Sequence, residues 1–186
     1  MLVRVLFVII MCSIVIISTL GQIVRPGKCP NYEKMKQVKN FKHERFGGPW
    51  YEHEKFAEDG DVVHQSCIAV YYQAEDNGNL FAVEQYQNTL THEAETVFWQ
   101  KKTDSMEGSP QGHYNILNTV LETDYKNFAI VYYCVKNPDK THTEFLRVLT
   151  RNRVPSEKIV TKAHKHIDSH KIPRSHLTKM NHKDCL

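Results

Sequence analysis

Thr123-Asp124-Tyr125-Lys126-Asn127-Phe128-Ala129-Ile130-Val131-Tyr132-Tyr133-Cys134 is the stretch on which the fold turns. Residues 128–135 are the clearest strand in the chain, because aliphatic and aromatic residues that suit a pleated surface are concentrated there. Asn137-Pro138-Asp139-Lys140 turns that strand back, and residues 143–150 return. A second short segment, Gly48-Pro49-Trp50-Tyr51-Glu52, lies far upstream. Between the two, the chain reads as an all-β meander. Residues 67–73 are rich in Ile, Val and Tyr, and Asp76-Asn77-Gly78-Asn79 is a hairpin signal because Asn-Gly tolerates positive φ. Residues 80–87 return from that turn, and residues 96–101 are a further strand. Residues 103–112 are a loop, and 113–122 hold one strand or two short ones. Turns at roughly ten-residue spacing suggest a sandwich or a barrel.

The pattern changes after Arg153. Ser156 offers an N-cap, Glu157 opens the first turn, and Ile159, Val160, Ala163 and Ile167 fall on one helical stripe. Pro173 stands beyond the helix end, and residues 176–181 suit a last short strand. One amphipathic helix after a run of strands is expected to lie against the sheet.

Both ends of the chain carry information. Arg4 is followed by an apolar run over 5–17 and by Ser18-Thr19-Leu20-Gly21, the small-residue pattern of a cleaved secretory signal. Residues 1–21 are expected to leave, taking Cys12 with them, and residues 22–186 to form one domain. The run is short for a membrane anchor, and no second apolar stretch follows. The formal charge of +3 is small and its signs are interspersed, which leaves no footprint for nucleic acid or an anionic membrane. Cys29, Cys67, Cys134 and Cys185 remain. Four cysteines in a secreted chain read as two disulfides, with three connectivities open.

The two quoted segments, together with Arg151 in Leu149-Thr150-Arg151-Asn152, resemble the three landmarks of the lipocalin family: Gly48-x-Trp50, Thr123-Asp124-Tyr125 and Arg151. The resemblance implies an eight-stranded, up-and-down antiparallel β-barrel with one C-terminal α-helix packed outside. It also implies that Trp50 plugs the closed end and Arg151 packs across it. Within the family, Lys28-Cys29-Pro30, the segment Gly48-Pro49-Trp50-Tyr51-Glu52-His53-Glu54-Lys55 and the stretch 123–134 look like the branch of apolipoprotein D and the insect bilin-binding proteins. That branch implies the pairings Cys29–Cys134 and Cys67–Cys185. Closing such long loops contributes roughly 3–5 kcal/mol in the chain-entropy model. Two departures stand out: residues 96–119 look short for the branch, and Arg147 stands where relatives often carry a pocket aromatic.

With the implied bridges outside the barrel, strand parity points their neighbours inward. Val131 and Tyr133 alternate with Cys134; Ile68, Val70 and Tyr72 alternate with Cys67. Phe145 and Leu149 share the face of Arg147. Ile68, Val70, Tyr72, Val131, Tyr133, Phe145 and Arg147 are therefore the candidate ligand-binding residues, while Ala129 and Leu149 fall in the packed closed end. An inward guanidinium in an apolar cup needs a partner. Arg147 pairs either with a ligand carboxylate or with an internal Glu, or sits at the wet mouth. The bland alternatives are preferred.

The resemblance thus implies an extracellular carrier of one small hydrophobic molecule, such as a bilin pigment, retinoid, sterol or fatty acid, with residues 58–66 as its lid. No covalent cofactor is implied. The main alternative is a scavenger of biogenic amines on the same fold, for which Glu52, Glu54, Glu84 or Glu122 would matter. Catalysis is not indicated: no spacing suggests a triad, and the implied bridges use every remaining cysteine. His166 and His170 lie one turn apart on the predicted helix, but no third ligand is spaced to complete a metal site. His53 reads as a surface or edge residue of the first strand.

Overall fold

A computed structural model describes residues 22–30, 38–57, 64–74, 80–99 and 120–185. The leader over 1–21, the turn at 76–79, the loop at 103–112 and residues 113–119 lie outside the described residues. The same holds for 58–63 of the expected lid. Its last residues, Gln65 and Ser66, belong to a strand instead.

The chain forms β1 (Gln22–Pro26), a one-turn helix α1 (His43–Phe46), β2 (Gly48–Phe56), β3 (Gln65–Ala74), β4 (Leu80–Asn88) and β5 (Ala94–Trp99). It continues with β6 (Val120–Thr123), β7 (Phe128–Lys136), β8 (Thr141–Thr150), α2 (Glu157–Ser169), a 3-10 turn (Arg174–His176) and β9 (Leu177–Lys179). The sheet runs β5-β4-β3-β2-β8-β7-β6, all antiparallel, with β1 added beside β8 and β9 beside β2. From β2 to β5 and from β6 to β8 each strand pairs with its chain neighbour. The pairing of β2 with β8 joins the first meander strand to the last, which rolls the sheet around a common interior. The chain between β5 and β6 lies within 100–119, outside the described residues. Among the described residues no helix is long and apolar enough to cross a membrane.

Two apolar clusters divide the wall. The inner one holds Phe46, Trp50, Val70, Tyr72, Ala82, Val120, Ala129, Val131 and Leu149. The outer one places Ala163 and Ile167 of α2 on Phe128, Ile130, Tyr132, Leu146 and Val148. Odd and even residues of β7 and β8 therefore serve different cores, as a strand period of two requires. This explains why both strands are so continuously apolar: neither face meets much water. Ser156 occupies the helix N-cap in extended backbone, and its carbonyl accepts from the amides of Ile159 (2.9 Å) and Val160 (3.2 Å).

Two bridges fix the ends. Cys29 joins Cys134 on β7, and Cys67 on β3 joins Cys185. Cys67 sits at φ +57°, inside a register shift between Ser66 and Ala69, so one extra residue bulges there. Ile68, within this shift, is buried, and past it Val70 and Tyr72 are buried in the inner cluster.

Candidate functional site

The closed end is assembled around Trp50. Its indole Nε1 donates to the Phe46 carbonyl at 2.8 Å, and the Arg151 guanidinium lies 3.8 Å above the ring centroid. Arg151 then donates to five carbonyls: Nη1 to Pro49 (2.8 Å), Nε to Tyr125 (3.1 Å), and Nη2 to Gly47 (2.9 Å), Arg45 and Phe46 (both 3.2 Å). One planar cation thus ties α1, β2 and the β6–β7 turn to the plug. Gly48 is needed beside it. Its φ is +89°, and a Cβ there would stand 3.4 Å from Arg151 Nη1.

Thr123, Asp124 and Tyr125 make the β6–β7 turn. Thr123 Oγ1 donates to the Phe128 carbonyl at 2.8 Å and accepts from the Tyr125 amide at 2.9 Å. Asp124 accepts from the amides of Lys126, Asn127 and Phe128 and from the Asn127 side chain. Burial opposes its ionisation. The hydrogen bonds from Asn127 and Phe128, with Lys162 nearby, outweigh burial and hold its pKa at about 2.

Above this floor the interior carries charge. Glu52 is fully buried, as are Lys55 on the same strand and Glu84 on β4 to within 1%. A register shift between Glu52 and Glu54 explains how both Glu52 and Lys55 face inward, three residues apart, while Glu54 faces α2. Arg147 of β8 joins them: its Nη1 donates to Glu84 Oε2 at 2.5 Å and its Nε lies 3.1 Å from Glu52 Oε2. Lys55 Nζ donates to Gln65 Oε1 at 2.6 Å and lies 3.6 Å from Glu52 Oε1. Burial works against the Arg147 cation, but Glu52, Glu84 and Tyr133 overcome it and raise its pKa well above the ordinary value. For Lys55 burial wins and lowers the pKa, with Glu52 opposing. Tyr72, on the floor, has its phenol pushed far up by burial, so it stays neutral.

The residues expected at the ligand thus fall at two depths. Val70, Tyr72 and Val131 pack with Trp50. Arg147 lies in the charged layer and pairs with internal glutamates. Phe145 and Tyr133 stack on each other at 4.1 Å between ring centroids, farther along β8 and β7 from the plug. Ile68 is buried on the inner face of β3. Of the four acids named for an amine site, Glu52 and Glu84 are interior. Glu54 pairs with His164 at 2.7 Å and Glu122 with His166 at 3.4 Å, both toward the helix. His53 is no surface residue: it is 6% exposed at the β2 bulge, and its carbonyl accepts from Met180. Lys55 and Gln65 escape strand parity because a register shift lies beside each, at Glu52–Glu54 on β2 and at Ser66–Ala69 on β3.

Residues 47–184 match the Lipocalin / cytosolic fatty-acid binding protein family. The chain is similar to apolipoprotein D of Cavia porcellus, 27% identical over 175 residues that cover 89% of this chain and 88% of that protein. It is similar to insecticyanin-B of Manduca sexta, 30% identical over 149 residues covering 72% of this chain and 68% of that protein. In fold it resembles the solved structure of insecticyanin from the tobacco hornworm Manduca sexta, with a TM-score of 0.62 at 22% identity, covering 88% and 91% of the two chains. The chain belongs to the lipocalin family, whose members bind small hydrophobic ligands.

Proposed function

We propose that residues 22–186 form a secreted carrier, released by cleavage after Gly21, that holds one small hydrophobic or amphipathic molecule inside the barrel. The observation that carries this reading is the layered interior: an apolar floor on Trp50, a charged layer on Arg147, and the Tyr133–Phe145 pair beyond it. Val70, Tyr72 and Val131 close the floor, Ile68, Tyr133 and Phe145 line the ligand, and Arg147 orients its polar end. A few fixed polar groups in an apolar cup are the usual design of such a site. The ligand class is a bilin, retinoid, sterol or fatty acid. The role is binding and transport, with no turnover and no covalent cofactor.

A second reading, a scavenger of biogenic amines, draws on the two interior acids Glu52 and Glu84.

Protein purified gently from native host cells tests the carrier reading by its ultraviolet–visible spectrum and native mass. A visible band, or mass above the two-disulfide chain, is the expected result. Apo mass, with no uptake of retinoids, bilins or fatty acids, overturns it.

A further inference from the structure

Alternate residues of β2, β3, β4 and β5 face away from the interior. Their inward neighbours Val70, Tyr72 and Ala82 are buried in the inner cluster. The outward positions are 49 and 51, 69, 71 and 73, the odd positions 81–87, and 94 and 96. In a chain with 24% charged residues, not one of these described positions is charged. They hold Pro, Tyr, Ala, Gln, Phe, Val and Thr. The register sets Pro49 beside Tyr71 and Tyr71 beside Val83, an apolar row that crosses three strands. The outer wall of β7 and β8 is covered by α2. On this wall Tyr71 is 52% exposed, and Gln73, Gln85 and Thr96 around it are exposed as well. Depletion of charge around an exposed aromatic is the mark of an interface core.

The chemistry of the face selects its occupant. A lysine, arginine or carboxylate pressed onto it would lose water and find no counter-charge. The partner's surface is therefore uncharged too. Each polar side chain here, the Gln73 and Gln85 amides and the Tyr71 and Thr96 hydroxyls, both donates and accepts a hydrogen bond. Such groups pair with their own kind, as a two-fold contact between identical patches requires. Lysine and arginine donate only, and carboxylates accept only, so neither suits a contact with itself.

We infer that this face docks a second copy of the chain, sheet against sheet. Four strands about 4.8 Å apart, each contributing about 17 Å of length, cover roughly 300 Å² in plan. A standard interface takes roughly 800 Å² from each partner. The dimer is therefore weak, reversible and concentration-dependent. The face lies on the flank of the barrel, outside its interior, so association and ligand carriage are separate properties.

Sedimentation velocity of the disulfide-bonded protein at neutral pH, from about 5 to 500 µM, tests the inference. The weight-average mass is expected to rise by at least about 1.5-fold over that range. Tyr71→Glu places a carboxylate from each copy in the contact and is expected to hold the mass at the monomer value throughout. Lys165→Glu, at an exposed position on α2, is expected to leave the rise unchanged. Gln85→Lys takes over as the test variant if Tyr71→Glu does not fold. A natural chain that stays monomeric, or a rise that persists in the folded face variant, overturns the inference. So does a monomer that floats with uncharged phosphatidylcholine vesicles and loses them in Tyr71→Glu, which assigns the face to a lipid surface. None of these outcomes bears on the carrier reading, whose own test is the spectrum and mass of bound ligand.

Discussion

Two arginines four residues apart on the β8 end do opposite work. Arg151 stays at the rim of the plug and satisfies backbone carbonyls, with burial lowering its pKa only against a partly open setting. Arg147 goes inside, where it must be neutralised by carboxylates. The family resemblance made its inward direction legible, because Arg147 stands where relatives carry a pocket aromatic, and strand parity then put Phe145 and Leu149 on its face. Its partners were not legible, since Glu84 lies 63 residues away and only the rolled sheet brings them together. Arg147→Leu removes the cation that bridges Glu52 and Glu84. Breaking a buried pair in this way costs about 3–5 kcal/mol. Urea unfolding followed by tryptophan fluorescence should show a loss of that size, and a loss under about 1 kcal/mol would mean that the layer is wetter than its burial implies.

At the level of elements, periodicity was a good guide. The strands β3, β4, β7 and β8 and the helix α2 all follow patterns of two or 3.6 that their residues spell out. The bulges did not announce themselves. At Glu52–Glu54 and at Ser66–Ala69 one extra residue shifts the register, and no residue type demands it. The β2 bulge has the larger effect, because it sends Lys55 inward and buries His53. The short β1 was also illegible: five residues with little alternation become a strand only because β8 offers them an edge. The helix is held chiefly by its stripe. Ile167 is fully buried against the outer cluster, so Ile167→Ala should cost about 2–4 kcal/mol by denaturant unfolding. A much smaller cost would show that the sheet relaxes into the space.

Across the whole molecule, the C-terminal segment is strapped along β2 by a seam of histidines. His164 pairs with Glu54, His182 Nε2 bonds the Glu52 carbonyl at 2.7 Å, and the Met180 amide, just past β9, donates to the His53 carbonyl at 2.9 Å. His53 meets Glu54 on its own strand, Lys179 on β9, His182 beyond it and His164 on α2. Burial is the largest influence and lowers its pKa below 6.5; Glu54 works the other way. The folded state therefore resists the proton that the unfolded chain accepts. This contribution to stability is complete above about pH 6.5 and is lost as pH falls through the folded-state value. Urea midpoints across that window should fall with acid, and His53→Gln should flatten the fall. An unchanged slope in that variant would assign the effect to other groups.

The two bridges also set a timetable. The chain is made from its N-terminus, so Cys67 waits through 118 further residues before Cys185 exists. At about 5–20 residues per second that is roughly 6–24 s. Cys29 is within reach from the start and its own partner, Cys134, arrives 105 residues after it. A premature Cys29–Cys67 link is therefore available before either native bridge can close, and undoing it takes thiol–disulfide exchange on a scale of seconds to hours. A chain that takes the Cys29–Cys67 link must exchange it before Cys29–Cys134 and Cys67–Cys185 can close, so strand pairing by itself does not complete this barrel.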